Sequence, residues 1–177
     1  MDELLDVLNE TGEKTGETVL KSVARAEGIW CGGIHILIVN KDKTKTLLQK
    51  RSATVAMAPN TWDIAVGGHI AAGEDDLATA KRELEEELGI EVSDDDLIRV
   101  GKAKEQTNYG EFISHKISSI FILYADIDIT KLKLQEAEVA EVRWFTYDEL
   151  QELIDSGNII PHARQHEMLK NILTEEK

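Results

Sequence analysis

The chain has one cysteine, Cys31, among its 177 residues, so no internal disulfide can form. That usage suits a reducing compartment. Positive charge is also scarce: 20 Lys and Arg face 34 Asp and Glu, for a formal net charge of −14. Binding a nucleic-acid polymer requires clustered cations against the phosphates, and this balance argues that class away. No apolar run approaches the roughly 18 residues that a membrane span needs. The opening stretch MDELLDVLNE is acidic and amphipathic, unlike a signal peptide. Repeats and linker-like stretches are missing too. Together these absences lead us to expect one cytoplasmic domain over residues 1–177, long enough for a proper core. Residues 1–28 are expected to pack on it as an N-terminal extension.

What is present alternates between β-rich and helical text. ELLDVL at 3–8 reads as a short strand or turn, and 21–27 as a short helix or an extended arm. GGIHILIV at 32–39 is β-branched and apolar, the mark of a buried strand. TLLQK at 46–50 pairs back on it as a hairpin, 53–60 is a loop, and 62–66 is a third strand ending at Gly67 and Gly68. A helix is expected from Asp75 to Leu88, stopped by Gly89. Beyond it, Asp94–Asp96 begin another element. Strands follow at 97–103, 113–127 and 141–145, and helices at 147–155 and 161–173. Strands and helices interleave without a strict βαβ rhythm, which predicts an α/β (α+β) fold: a mixed sheet with helices on both faces.

The expected helix at 75–88 carries the chemistry. At about 100° per residue, Glu87 lies roughly 40° from Glu83 on the wheel and Glu86 roughly 60° to the other side. Like charges at this spacing repel by a few tenths of a kcal/mol per pair, and only Arg82 sits beside them. A hard divalent cation turns that liability into a site, since Mg²⁺ takes carboxylate oxygens together with substrate phosphates. Metal ions also answer how so acidic a chain would accept a phosphate ester.

These glutamates belong to a longer pattern: Gly68, five residues, Glu74, seven residues, then Arg82-Glu83-Leu84-Glu85-Glu86-Glu87-Leu88-Gly89-Ile90. It resembles the Nudix box, G-x5-E-x7-R-E-U-x-E-E-x-G-U with U aliphatic, at every specified position. The resemblance extends through LLQKR before the box and EVRWF with its helix after it, covering most of residues 30–155. It implies a Nudix-type α/β/α sandwich with a mixed β-sheet. It also implies a Mg²⁺- or Mn²⁺-dependent hydrolase that cleaves a diphosphate linkage in a nucleoside diphosphate derivative or related small organic pyrophosphate. On the same resemblance Glu83, Glu86 and Glu87 bind metal with the Gly68 carbonyl, and Glu74 with Arg82 forms a structural brace. Leu77, Leu84 and Leu88 fall on the adjoining face and should bury against the sheet. A homodimer is a further possibility.

Family members often recruit one more acidic residue as base or ligand, and Glu105, Glu111, Glu136, Glu138 and Glu141 are the candidates. Glu138 ranks first as a catalytic carboxylate, and Glu111, in the polar stretch NYGE, as a substrate contact. Arg51 and His69 are further candidates for substrate binding. His35 reads as a satisfied core histidine, and His162 with His166 as surface. Trp30, Tyr109 and Phe112 could stack on a flat group, whereas Trp62 and Trp144 read as core. Specificity is expected in loops at 55–61 and 104–114. The flanking text, including WDIAVGGHIAAGE, is similar to the subgroup around isopentenyl-diphosphate isomerase. An isomerase is therefore an alternative, but the strand before the box has no cysteine and RSATVAMAP has no lysine. A non-catalytic nucleotide-sensing module is a third reading, from another class.

Overall fold

The computed structural model describes residues 2–175, Tyr109 without its side chain. Nine strands form one connected mixed sheet: β1 (Leu4–Leu8), β2 (Lys14–Leu20), β3 (Cys31–Val39), β4 (Lys45–Arg51), β5 (Trp62–Ile64), β6 (Val66–His69), β7 (Ile98–Tyr109), β8 (Phe112–Tyr124) and β9 (Val139–Thr146). Four helices accompany them: α1 (Lys21–Glu27), α2 (Asp76–Leu88), α3 (Tyr147–Asp155) and α4 (Ala163–Thr174). None of the described helices is long and apolar enough to cross a membrane.

β3 is the axis. Along one edge it pairs parallel with β8 from Cys31–Lys116 to Val39–Tyr124. Its other edge is shared: β6 takes Gly33–Ile36, and β4 takes Ile38 and Val39, both antiparallel. Side chains alternate across a strand, so β3 feeds two cores. Ile34, Ile36 and Ile38 meet Val66, Phe121 and the buried face of α2, Ala80, Leu84 and Leu88. Leu37 and Val39 join Ile120, Phe145, Leu150 of α3 and Leu169 of α4 on the opposite face. Helices therefore cover both faces of the sheet, as the sequence predicts. His35 has the parity of Leu37, which aims it at the face that α4 covers.

α2 starts and stops where the sequence indicates. Asp75 is the N-cap, its carboxylate accepting from the amides of Leu77 and Ala78. Gly89 closes it at φ 68°, a left-handed position that glycine adopts without strain.

Two expectations change. The strand expected at 62–66 divides at Ala65 into β5, which pairs with β4, and β6, which pairs with β3. The stretch 104–114, expected as a loop, is the far half of the β7–β8 hairpin, paired out to Tyr109–Phe112. Its β7 side is polar because Glu105 and Thr107 line a cavity while Lys104, Gln106 and Asn108 are exposed, so no apolar alternation marks it. The N-terminal residues also resolve: β1 joins β3 through Val7–Cys31 and Leu5 bridges to Ala71. There α1 is a helix, with Ala24 buried beside Leu5 and Cys31.

Candidate functional site

One end of the sheet opens into a cavity of about 410 Å³, walled by α1, β4, β6, α2, the β7–β8 hairpin and the residues before α4. Its two ends differ in charge.

The acidic end is α2. Glu83 and Glu86 face the cavity, and Glu138, just before β9, faces them. Arg82 serves three carboxylates: Nη1 donates to Glu83 and Glu86 at 3.0 Å each, and Nη2 to Glu74 at 3.1 Å. Thr79 adds a hydroxyl hydrogen bond to Glu74 at 2.8 Å. The ion pair expected between Glu74 and Arg82 is thus present. Glu87 lies behind, 2% exposed, accepting one hydrogen bond from Gln49 at 2.9 Å. Burial pushes the Glu83 carboxyl up to about 7; Arg82 opposes the shift, while Glu86 and Glu138 add to it. Burial raises Glu87 well above the usual range, and Glu83 and Glu138 push it further.

Without a cation, then, this end crowds carboxylates that resist ionising together. A β-carbon on Gly68 would lie 2.4 Å from Glu83 Oε1, so only glycine lets β6 pass this close. Several hard oxygens converging beside a bare backbone fit a divalent cation of the Mg²⁺ type.

The far end was not legible in the chain. His162, expected at the surface, is 12% exposed, because the segment before α4 folds back over the sheet. Its Nδ1 lies 2.8 Å from Glu105 and its Nε2 2.9 Å from Asp63. Burial works against its charge, but Asp63 and then Glu105 prevail and raise it to about 9, an imidazolium between two carboxylates. His166, also expected at the surface, is buried one turn on, held near 4 by burial and by His162. His35 is buried as expected, bonded to Gln165 of α4 and held neutral, chiefly by burial.

His35, Glu105 and His162 bring ligand-type atoms within 4.8 Å of one another. Their charge is already balanced, however, with both His162 nitrogens occupied and the Lys116 ammonium 3.5 Å from His35 Nε2. A second divalent ion has little to gain there.

Of the other expected site residues, Arg51 and His69 line the cavity. Arg51 also bonds Asp63 at 3.3 Å and the Met57 carbonyl at 3.1 Å. His69 is kept neutral by burial, then by Lys116, Lys21 and Arg25. Glu111 does not reach the cavity: it sits exposed in the turn of the β7–β8 hairpin, and Glu105, six residues before it, takes the inward position. Trp30 stacks beside His115 and under Lys104 instead of lining the cavity. Phe112 is likewise outside the lining, and the Tyr109 side chain is outside the described residues. Trp62 and Trp144 pack on the two cores as expected. The buried Cys31 thiol is pushed up to about 11 by burial and Asp6, and is not among the lining residues.

Residues 32–164 match the NUDIX domain family. Among curated proteins, the chain is 33% identical over 171 residues to an uncharacterised Nudix hydrolase of Listeria monocytogenes, covering 96% of each. It is also 33% identical over 152 residues to Nudix hydrolase 3 of Arabidopsis thaliana, covering 84% of this chain but only 20% of that longer protein. Among solved structures, a Deinococcus radiodurans protein superposes with a TM-score of 0.71 at 21% identity, covering 96% of this chain and 99% of that one. An Ap4A hydrolase of C. elegans superposes with a TM-score of 0.54 at 19% identity, covering 78% and 92%. At such identities these two establish the fold alone.

Proposed function

The chain belongs to the Nudix family, and from that premise we propose that it hydrolyses a diphosphate linkage in a small organic pyrophosphate with the help of Mg²⁺ or Mn²⁺. The observation that carries this reading is the acidic end of the cavity, where Glu83, Glu86, Glu87 and Glu138 gather under one half-buried arginine. Glu83, Glu86 and Glu87, with the Gly68 carbonyl, would hold the metal. When bound, such a cation would supply Lewis acidity, offsetting charge on phosphate oxygens and making water more acidic.

The protein's own residues do the rest. Arg82, anchored through Glu74, fixes the rotamers of Glu83 and Glu86 so that little reordering is needed when the site fills. Glu138 faces these glutamates across the cavity and is placed to take the proton of the attacking water. As the water oxygen bonds to phosphorus, the bridging P–O bond breaks and the departing phosphate leaves as an anion. Arg51 and His69 line the path that the rest of the substrate would occupy.

A screen that follows the products by phosphorus NMR, with Mg²⁺ and Mn²⁺, tests the reading. Its panel holds nucleoside triphosphates, nucleotide sugars, dinucleoside polyphosphates, ADP-ribose, coenzyme A and prenyl diphosphates. On whichever compound turns over, Glu86→Gln and Glu87→Gln should each reduce kcat by about a thousandfold or more, as loss of a metal ligand does, with unchanged circular dichroism. Full activity in either variant would sink the assignment. Isopentenyl diphosphate belongs in the panel, with its allylic isomer as the product that would favour an isomerase.

A further inference from the structure

The same cavity also gathers cations, in a chain that has 34 acidic residues to 20 basic ones. Lys21 and Arg25 come from α1, Arg51 from β4 and Lys116 from β8. Two of the four are already paired: Lys21 with Glu3 at 2.9 Å, and Arg51 with Asp63 at 3.3 Å. The other two are not. Arg25 has no hydrogen-bond or ion-pair partner among the described residues, and Lys116 has one polar contact, the neutral His35 imidazole at 3.5 Å, with Glu105 and Asp63 beyond salt-bridge distance but near enough to favour its charge. Both are half-buried.

Burial disfavours the charge of each and outweighs the pull of nearby carboxylates, Glu3 and Glu138 on Arg25 and Glu105 and Asp63 on Lys116; Arg51 presses on both, as Arg25 does on Lys116. A half-buried cation normally finds a carboxylate, and this chain has carboxylates to spare. Two left without a salt bridge in one cavity, with the hydroxyl-bearing residues Thr107 and Ser114 also in its wall, present donors free for a ligand, although Glu3, Asp63, Glu105 and Glu138 share the lining. Guanidinium, ammonium and hydroxyl donors together suit the tetrahedral, multiply accepting oxygens of a phosphoryl group.

We propose that Arg25 and Lys116 form a second anion site in this cavity, one that takes a phosphoryl group of the substrate other than the two whose linkage is cut. What the phosphoryl group belongs to rests on the diphosphate-hydrolase reading; that the site binds an anion does not. The N-terminal β1–β2–α1 segment, which carries Arg25, thereby acts as a specificity element. The phosphoryl group either continues the phosphate chain or sits on the organic part.

The first arm of the test uses inorganic phosphate in EDTA, where the bare acidic end repels anions. Phosphorus NMR line broadening should show binding to the wild type, and Arg25→Ala or Lys116→Met should weaken it about tenfold or more, as loss of a charge-assisted contact does. No binding, or binding indifferent to both substitutions, overturns the site. Arg25→Lys, which keeps the charge, should retain part of the binding and guards against a misfolded alanine variant.

The second arm adds Mg²⁺ or Mn²⁺ and compares kcat/KM within matched pairs. ADP-ribose 2′-phosphate against ADP-ribose, and coenzyme A against its dephospho form, read a phosphate on the organic part; ATP against ADP reads a longer chain. One extra phosphate should be preferred by about tenfold or more through KM, and the preference should collapse in both variants. Equal handling within every pair overturns the substrate assignment. Phosphate binding without turnover of any compound overturns the hydrolase reading and leaves the anion site standing.

Discussion

Gly68 and Glu83 occupy the same space but for one missing carbon: a β-carbon on Gly68 would fall 2.4 Å from Glu83 Oε1 and 2.7 Å from its Cγ. Gly68 is not among the residues with positive φ, so backbone freedom is not the reason for glycine here. Proximity is. Gly68→Ala should therefore force the Glu83 carboxylate away from Glu86 and Glu87 while β6 keeps its pairing with β3. We expect kcat/KM to fall about a hundredfold, the order lost when a preorganised electrostatic group is displaced. The midpoint of a Mg²⁺ titration should rise. Overpacking should destabilise the fold by no more than about 1–3 kcal/mol. Steady-state kinetics and thermal denaturation of the same preparation check both halves.

The underside of the acidic helix is as demanding as its exposed face. Leu84, next to Glu83, is fully buried between Ile34, Ile36 and Phe121. Leu84→Ala should lower stability by about 2–5 kcal/mol, the transfer and cavity penalties together, measured by urea denaturation. Metal affinity should weaken in the same variant, since the helix loses the contact that fixes its rotation over β6. Leu77, two turns earlier on the same face and only partly buried, should show a smaller stability loss and a normal metal titration.

The acidic half of the site was legible because its parts are close in sequence. Gly68, Glu74, Arg82 and the three glutamates lie within 23 residues, and helix geometry alone brings the carboxylates together. Asp75 and Gly89 announce the ends of that helix by capping chemistry that needs no tertiary contact. The basic half was illegible for the opposite reason. His162 meets Asp63 across 99 residues and Glu105 across 57, and no local pattern encodes either contact. His162 and His166 at i,i+4 were the visible trace, and their helix looked like a surface helix because its polar residues turn toward a buried network. The β7–β8 ribbon hid in the same way: its β7 side, polar on both faces, lacks the alternation that betrays a strand, so Glu111 in its turn and Glu105 on its inward face could not be told apart.

The clamp on His162 makes stability depend on pH in a defined direction. In the folded chain His162 keeps its proton up to about 9, against 6.5 for the free side chain. Its contribution is thus complete below pH 6.5 and is lost as pH rises to about 9, a fall on the order of 3 kcal/mol. For Asp63 and Glu105 burial opposes ionisation, yet contacts led by His162 hold both below their ordinary 3.8 and 4.5. Their contribution is present above those values and is lost as pH drops through them. Urea denaturation across the range should show this cluster most stabilising between about pH 5 and 6.5. His162→Ala should flatten the alkaline fall and destabilise the protein near neutrality by about 3–5 kcal/mol, because two buried carboxylates lose their counter-charge.

Glu138 and Glu111 separate a residue in the cavity from one that only looks equivalent in the sequence. Burial raises the Glu83 and Glu87 carboxyls and Glu138 adds to both shifts, so it lies within electrostatic reach of the place where a metal and its water would sit. Glu111 occupies an exposed turn at the hairpin tip. Glu138→Gln removes a proton acceptor and keeps the shape, so kcat should fall by about a hundred- to a ten-thousandfold, the range general-base catalysis supplies. KM should change little. Glu111→Gln should leave kcat/KM within about twofold, as for an ordinary surface substitution. If Glu138→Gln lowers affinity for Mg²⁺ while kcat at saturating metal is preserved, its carboxylate is a metal ligand and the water gives its proton to another group. The titration of activity against metal concentration in that one variant decides between the two roles.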